Sequence, residues 1–95
     1  MTPNKNPHQN ALLLYRHRRG LSRKRVAALL GHKDTSMLSR YESGQSYPPL
    51  VTVLALEIIY RTPTAFLYYD LYASVRKIIR QEEGAALGPY QLTLF

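Results

Sequence analysis

The sequence predicts an all-α bundle of about five helices, and three observations carry that reading. Apolar residues recur three and four apart through most of the 95-residue chain, the spacing of helices with one buried face. Gly20, Gly31, Gly44 and the Pro48-Pro49 pair fall between those runs, where helices stop or start. At the centre, Leu21 to Gly44 (LSRKRVAALLGHKDTSMLSRYESG) reads as two short helices broken by Gly31-His32-Lys33-Asp34.

Residues 1–6 are polar and read as a loose arm. Asn6-Pro7 offers a cap followed by proline at the first helical position, so a helix is expected from there to about Arg19. Leu12 and Tyr15 face inward on it, Leu13 and Leu14 widen that face, and Gly20 ends it. Arg16, Arg18 and Arg19 suit the negative pole of the helix dipole, and the same cations suit phosphate; the two roles are compatible.

In the central pair, the Ser22 hydroxyl can cap the first helix, and Val26, Ala27 and Leu30 give it a narrow apolar stripe. Gly31 stands where that helix must turn, because glycine takes positive φ without steric cost. Asp34 can cap the second helix, with Leu38 and Tyr41 on its inner face. Its outer face carries Thr35, Ser36, Met37, Ser39 and Arg40, which can lie against base edges without clashing.

Ser43 to Pro49 is a turn-rich connector, and Pro49 can open the next helix. From Leu50 to Tyr60 that helix is apolar nearly all round, which predicts a place in the middle of the bundle. Residues 63–83 read as one long amphipathic helix. On it Leu71, Val75 and Ile78 form a stripe flanked by Tyr72 and Ile79. These five residues either fold back on the bundle or pair with a second copy; pairing is the preferred reading. The uncharged tail 84–95 alternates like a strand at its end, and either adds to a partner edge, lies on the bundle or stays without order.

Composition narrows the function classes. There is no cysteine, hence no disulfide framework and no thiolate metal site, which fits a reducing interior. No apolar run approaches the roughly 20 residues needed to span a bilayer, so a soluble, cytoplasmic protein is expected. The net charge of +7 is uneven. Up to Tyr47, nine Lys/Arg stand against Asp34 and Glu42, a balance of +7; from Pro48 onward four cations meet four acids, a balance of zero. All the excess lies around the helix pair, which points to a polyanion partner.

The run Arg16…Gly20-Leu21-Ser22, Val26-Ala27-Ala28-Leu29-Leu30-Gly31, Leu38-Ser39-Arg40-Tyr41-Glu42-Ser43-Gly44 and Pro48-Pro49-Leu50 resembles the lambda-repressor-like helix-turn-helix regulators, the Cro-type or xenobiotic-response-element family. The resemblance covers roughly Asn10 to Leu67 and implies sequence-specific binding to double-stranded DNA as a transcriptional regulator. The chain is thus read as an arm (1–6), a DNA-binding domain (7–67), a C-terminal amphipathic helix that is a candidate dimerisation element (63–83) and a tail (84–95).

By that resemblance, Thr35, Ser36, Met37, Ser39 and Arg40 read bases, while Arg16, Arg23, Lys33 and Ser43 meet the phosphate backbone. Arg40 is the side chain able to grip guanine with two bonds, unless a carboxylate or phosphate claims it. Thr35 is either a reader or part of the cap, Met37 either touches a thymine methyl or has no role, and Ser43 equally suits the turn. Arg23 stands where family members often carry a phosphate-binding glutamine. Glu42 is expected to fix the turn or an arginine rather than read a base. A homodimer on a palindromic operator is the expected assembly, with an antitoxin-like module that holds a protein partner by its Tyr-rich last helix as the alternative.

Three positions depart from the family pattern. The turn before the second helix is one residue longer than is common, Arg61 replaces a frequent glycine, and Glu57 replaces a small residue. Catalysis is not expected. His8, His17 and His32 lack metal-ligand spacing, and there is no Gly-rich phosphate loop or nucleophile elbow, so neither cofactor nor metal is predicted.

Overall fold

The structure, a computed structural model, describes residues 9–92, with side chains as far as residue 85. Its elements are all helical: α1 (Leu12–Arg18), α2 (Arg23–Leu29), α3 (Ser36–Glu42), α4 (Leu50–Tyr60), α5 (Thr64–Leu67) and α6 (Tyr69–Leu92). The expected arm, residues 1–6, lies outside the described residues. The first helix begins at Leu12 and not near Pro7: Gln9 to Ala11 are non-helical, and the Asn10 Oδ1 accepts the Leu12 N–H at 2.9 Å. The Asn10 Nδ2 donates to the Tyr41 carbonyl at 2.8 Å, and the Ala11 N–H to the Leu67 carbonyl at 2.8 Å. These bonds tie the entry of α1 to the ends of α3 and α5.

The first four helices are each stopped by the same device. At the end of α2 the Gly31 N–H bonds to Ala28 O and the His32 N–H to Ala27 O, a pair that requires a left-handed residue between them. Gly31 supplies it with φ +80, and a Cβ there would meet nothing within 4 Å, so the demand is torsional rather than spatial. The same pair of bonds closes α1, α3 and α4. At α4, however, the left-handed residue is Arg61, at φ 53.

That conformation costs an L-residue about 1–2 kcal/mol, and glycine returns part of the difference through unfolded-chain entropy. Arg61→Gly is therefore expected to raise the thermal midpoint slightly, by a free energy of at most about 1 kcal/mol. Melts followed by circular dichroism test this. A lower midpoint would mean that the arginine side chain contributes more than its backbone costs.

Leu12, Val26, Leu38, Tyr41, Leu56, Tyr60, Leu67 and Tyr68 pack into one core, each nearly free of solvent contact. Two expectations fail here. α4 does not sit in the middle: only Leu56 and Tyr60 on it are buried, while Leu50, Val51, Leu54 and Ile58 are at least half exposed. A domain of this size has too few elements to enclose a helix on all sides. The helix expected over 63–83 is also divided. α5 ends at Tyr68 (φ −122, ψ 52), whose ring is drawn into the core, and α6 starts afresh at Tyr69.

Glu57 explains the start of α5. Its Oε1 accepts from the Thr64 hydroxyl at 2.7 Å and from the Thr64 N–H at 3.1 Å, and those bonds hold its carboxyl below the usual range. Among the described residues it forms no ion pair. α6 then runs to Leu92 and takes in most of the tail that alternates like a strand; Thr93 to Phe95 lie outside the described residues. From Ser74 to Ala85 every residue is exposed, so α6 does not fold back on the bundle.

Candidate nucleic-acid interface

α2 and α3 form the helix-turn-helix. The Ser22 Oγ accepts from the Arg25 N–H at 3.0 Å and opens α2 as its sequence predicts. Asp34 holds the entry to α3 from one position further back than a cap, its Oδ1 accepting the Ser36 N–H at 2.9 Å, a bond that lowers its pKa. The longer turn is thus absorbed before the helix: α3 starts at Ser36, and Thr35 occupies the cap position without a side-chain cap bond. Leu38 and Tyr41 anchor the inner face in the core.

The outer face is open. Ser36, Met37 and Arg40 are exposed, and Thr35 and Ser39 are partly buried at its edges. Among the described residues the Arg40 side chain forms no ion pair. Lys33 is exposed in the turn, and the Ser43 Oγ donates back to the Arg40 carbonyl at 3.2 Å while remaining exposed at the helix end. Arg18, Arg19, Lys24 and Arg25 add exposed cations on α1 and α2.

Arg16 must be removed from the phosphate-contacting set. Its side chain is buried, with Nε donating to Glu42 Oε2 at 2.6 Å, Nη2 to Glu42 Oε1 at 3.3 Å and Nη1 to the Leu21 carbonyl at 3.0 Å. Three of its five N–H donors are engaged and the side chain is only 7% exposed, so the guanidinium is turned to the core and not to a phosphate. Glu42 also accepts from Arg23 Nε at 3.0 Å, so one carboxylate, only 4% exposed, bridges two arginines. Arg23 differs from Arg16 in being 42% exposed: the tether takes its Nε, and among the described residues neither Nη group forms such a bond.

Sequence reasoning missed the depth of this cluster, although the signal was present. Arg16 follows Leu12 by four residues and Glu42 follows Leu38 by four, and both leucines are fully buried. Residues four apart share a helix face, so both charges point where the leucines point. The Asn10 clamp across α1 and α3 had no comparable signal.

No helix among the described residues is long and apolar enough to cross a membrane. No curated protein and no solved structure matches the chain. A family model described as helix-turn-helix matches residues 12–67, more than half of the sequence and the span from α1 through α5. With its all-helical bundle, its α2–turn–α3 unit and its open α3 face, the chain belongs to the lambda-repressor-like, Cro-type helix-turn-helix family of DNA-binding regulators.

Proposed function

We propose that the protein is a sequence-specific transcriptional regulator that binds double-stranded DNA as a homodimer on a palindromic operator. The observation that carries this is the two-sidedness of α3. Leu38 and Tyr41 fix it to the core, while Ser36, Met37 and Arg40 face solvent beside exposed cations. In the major groove that face would present Thr35, Ser36, Met37, Ser39 and Arg40 to base edges, with Lys33, Ser43 and Arg23 on flanking phosphates. Two subunits would set their α3 helices in successive major grooves, about 34 Å apart. The stripe of Leu71, Tyr72, Val75, Ile78 and Ile79 is the proposed subunit contact.

Selection of binding sites from random duplex DNA, with the mass of the complex measured alongside, tests this reading. The expected result is an enriched palindrome carrying two protomers. Binding without an enriched motif would replace it with charge-driven association, which is steeply salt-dependent and indifferent to sequence.

A second reading, an antitoxin-like module that holds a protein partner, draws on α4. Val51, Leu54 and Ile58 make an exposed apolar stripe there, 78%, 50% and 75% accessible, on a different helix from the proposed subunit contact. A stoichiometric second protein recovered by pull-down would support it.

A further inference from the structure

The side chains on the outer face of α3 restrict which bases it can tell apart. Ser36, Met37 and Arg40 are exposed on that face, and Thr35 and Ser39 stand at its edges. Direct readout of adenine in the major groove takes a carboxamide, and that of the cytosine amino group takes a carboxylate. The face offers neither. The Asp34 Oδ1 is turned back to the Ser36 N–H at 2.9 Å, and Glu42, 4% exposed, is held by Arg16 and Arg23. Gln45 follows the left-handed turn at Gly44 (φ 81) and lies beyond the end of α3.

A guanidinium fork, three hydroxyls and one thioether remain. Arg40 forms no ion pair among the described residues and matches the two acceptors of a guanine edge. The hydroxyls of Thr35, Ser36 and Ser39 both donate and accept, so they serve a thymine O4 and a cytosine amino group alike. The C5 methyl is then the feature by which this face distinguishes one pyrimidine from another. Met37 is 40% exposed, while Leu38 and Tyr41 of the same helix are buried. A single exposed methionine is ordinary on a surface. This one stands three residues before Arg40, on the same side of the helix, and its flexible, polarisable side chain can close over a methyl group.

The spacing sets where the two contacts fall. Three residues rise about 4.5 Å along a helix, against about 3.4 Å between stacked bases. The methyl met by Met37 and the guanine met by Arg40 therefore belong to neighbouring base pairs.

We propose that α3 recognises a 5-methylpyrimidine beside a guanine, reading the methyl group and not thymine as such, so that 5-methylcytosine is accepted in preference to cytosine. The inference rests on the sequence-specific regulator reading and names the base step that its recognition helix takes.

The test starts from the site selected out of random duplex DNA by the full chain. Each half should hold a thymine next to a guanine, with the thymine preference lost in Met37→Ala and the guanine preference lost in Arg40→Ala. Titrations then compare thymine with uracil at that position, and 5-methylcytosine with cytosine in the corresponding duplex. One covered methyl corresponds to about 0.8 kcal/mol, or about fourfold in affinity for each half-site. The wild-type protein should show that factor in both comparisons, and Met37→Ala should bind the two members of each pair equally. Circular dichroism of both variants checks that these exposed substitutions leave the fold intact.

Equal affinity for thymine and uracil at every position of an enriched palindrome overturns the methyl assignment and leaves the regulator standing. A methyl preference that survives Met37→Ala, or a half-site in which the two positions are not neighbours, has the same consequence. The absence of any enriched motif overturns both.

Discussion

Glu42→Ala is expected to destabilise the protein by about 3–5 kcal/mol, the cost typical of removing one partner from a buried ion pair. Against a total stability of about 5–15 kcal/mol for a domain, that loss is enough to leave much of the protein unfolded. The reason lies with Arg16, which is 6% exposed and always charged. With the carboxylate gone, its Nε and Nη2 lose their acceptors and water cannot replace them without opening the core. The loss should not reflect the worth of the pair itself. Replacing both partners, Arg16→Met with Glu42→Leu, is expected to recover much of it, because an apolar pair of similar volume needs no solvation. Urea denaturation of the two variants decides the matter. If Glu42→Ala cost under about 1 kcal/mol, in the range of an exposed pair, then water must reach Arg16 and the cluster is not the anchor of α1 to α3.

That cluster also shows which parts of the molecule could be read from spacing. α2, its turn and the inner face of α3 were legible, because capping and left-handed termination are local rules and Ser22, Gly31, Leu38 and Tyr41 obey them. Arg16 was misplaced because its residue type spoke for the surface while its register, four after Leu12, spoke for the core. α4 was misread for a different reason. An apolar sequence says what a helix could bury, whereas the number of neighbours decides what it does bury, and Val51, Leu54 and Ile58 have too few among the described residues to be covered. The break at Tyr68 depends on that ring entering the core against Tyr47, a contact twenty-one residues away in the chain that no local pattern announces. The open face of α3 was legible as a surface, because its residues are small, polar or cationic and none asks to be buried.

Arg40→Ala and Arg23→Ala are expected to weaken DNA binding in different ways. Arg40 is exposed in the last turn of α3 and unpaired among the described residues, so its guanidinium is free to take both acceptors of a guanine edge. Its loss should cost about 1–3 kcal/mol, or about 5–150-fold, on the selected site and far less on random duplex. Arg23 should behave as a phosphate contact. Its Nε is held by Glu42, which aims the remaining nitrogens from the start of α2, and phosphates are the same in every sequence. Arg23→Ala should therefore weaken cognate and random DNA alike and lower the slope of log affinity against log salt by about one. Arg23→Lys separates charge from aim. The lysine keeps the cation, but its one nitrogen must reach both Glu42 and the phosphate from a single point and lacks the rigid fork that aims separate nitrogens at each, so its affinity should fall between wild type and alanine. Titrations of all three variants on selected and random duplex, at several salt concentrations, read these differences. Equal losses for Arg40→Ala on both duplexes would move Arg40 to the backbone, and wild-type affinity for Arg23→Lys would leave the Glu42 tether with a structural role alone.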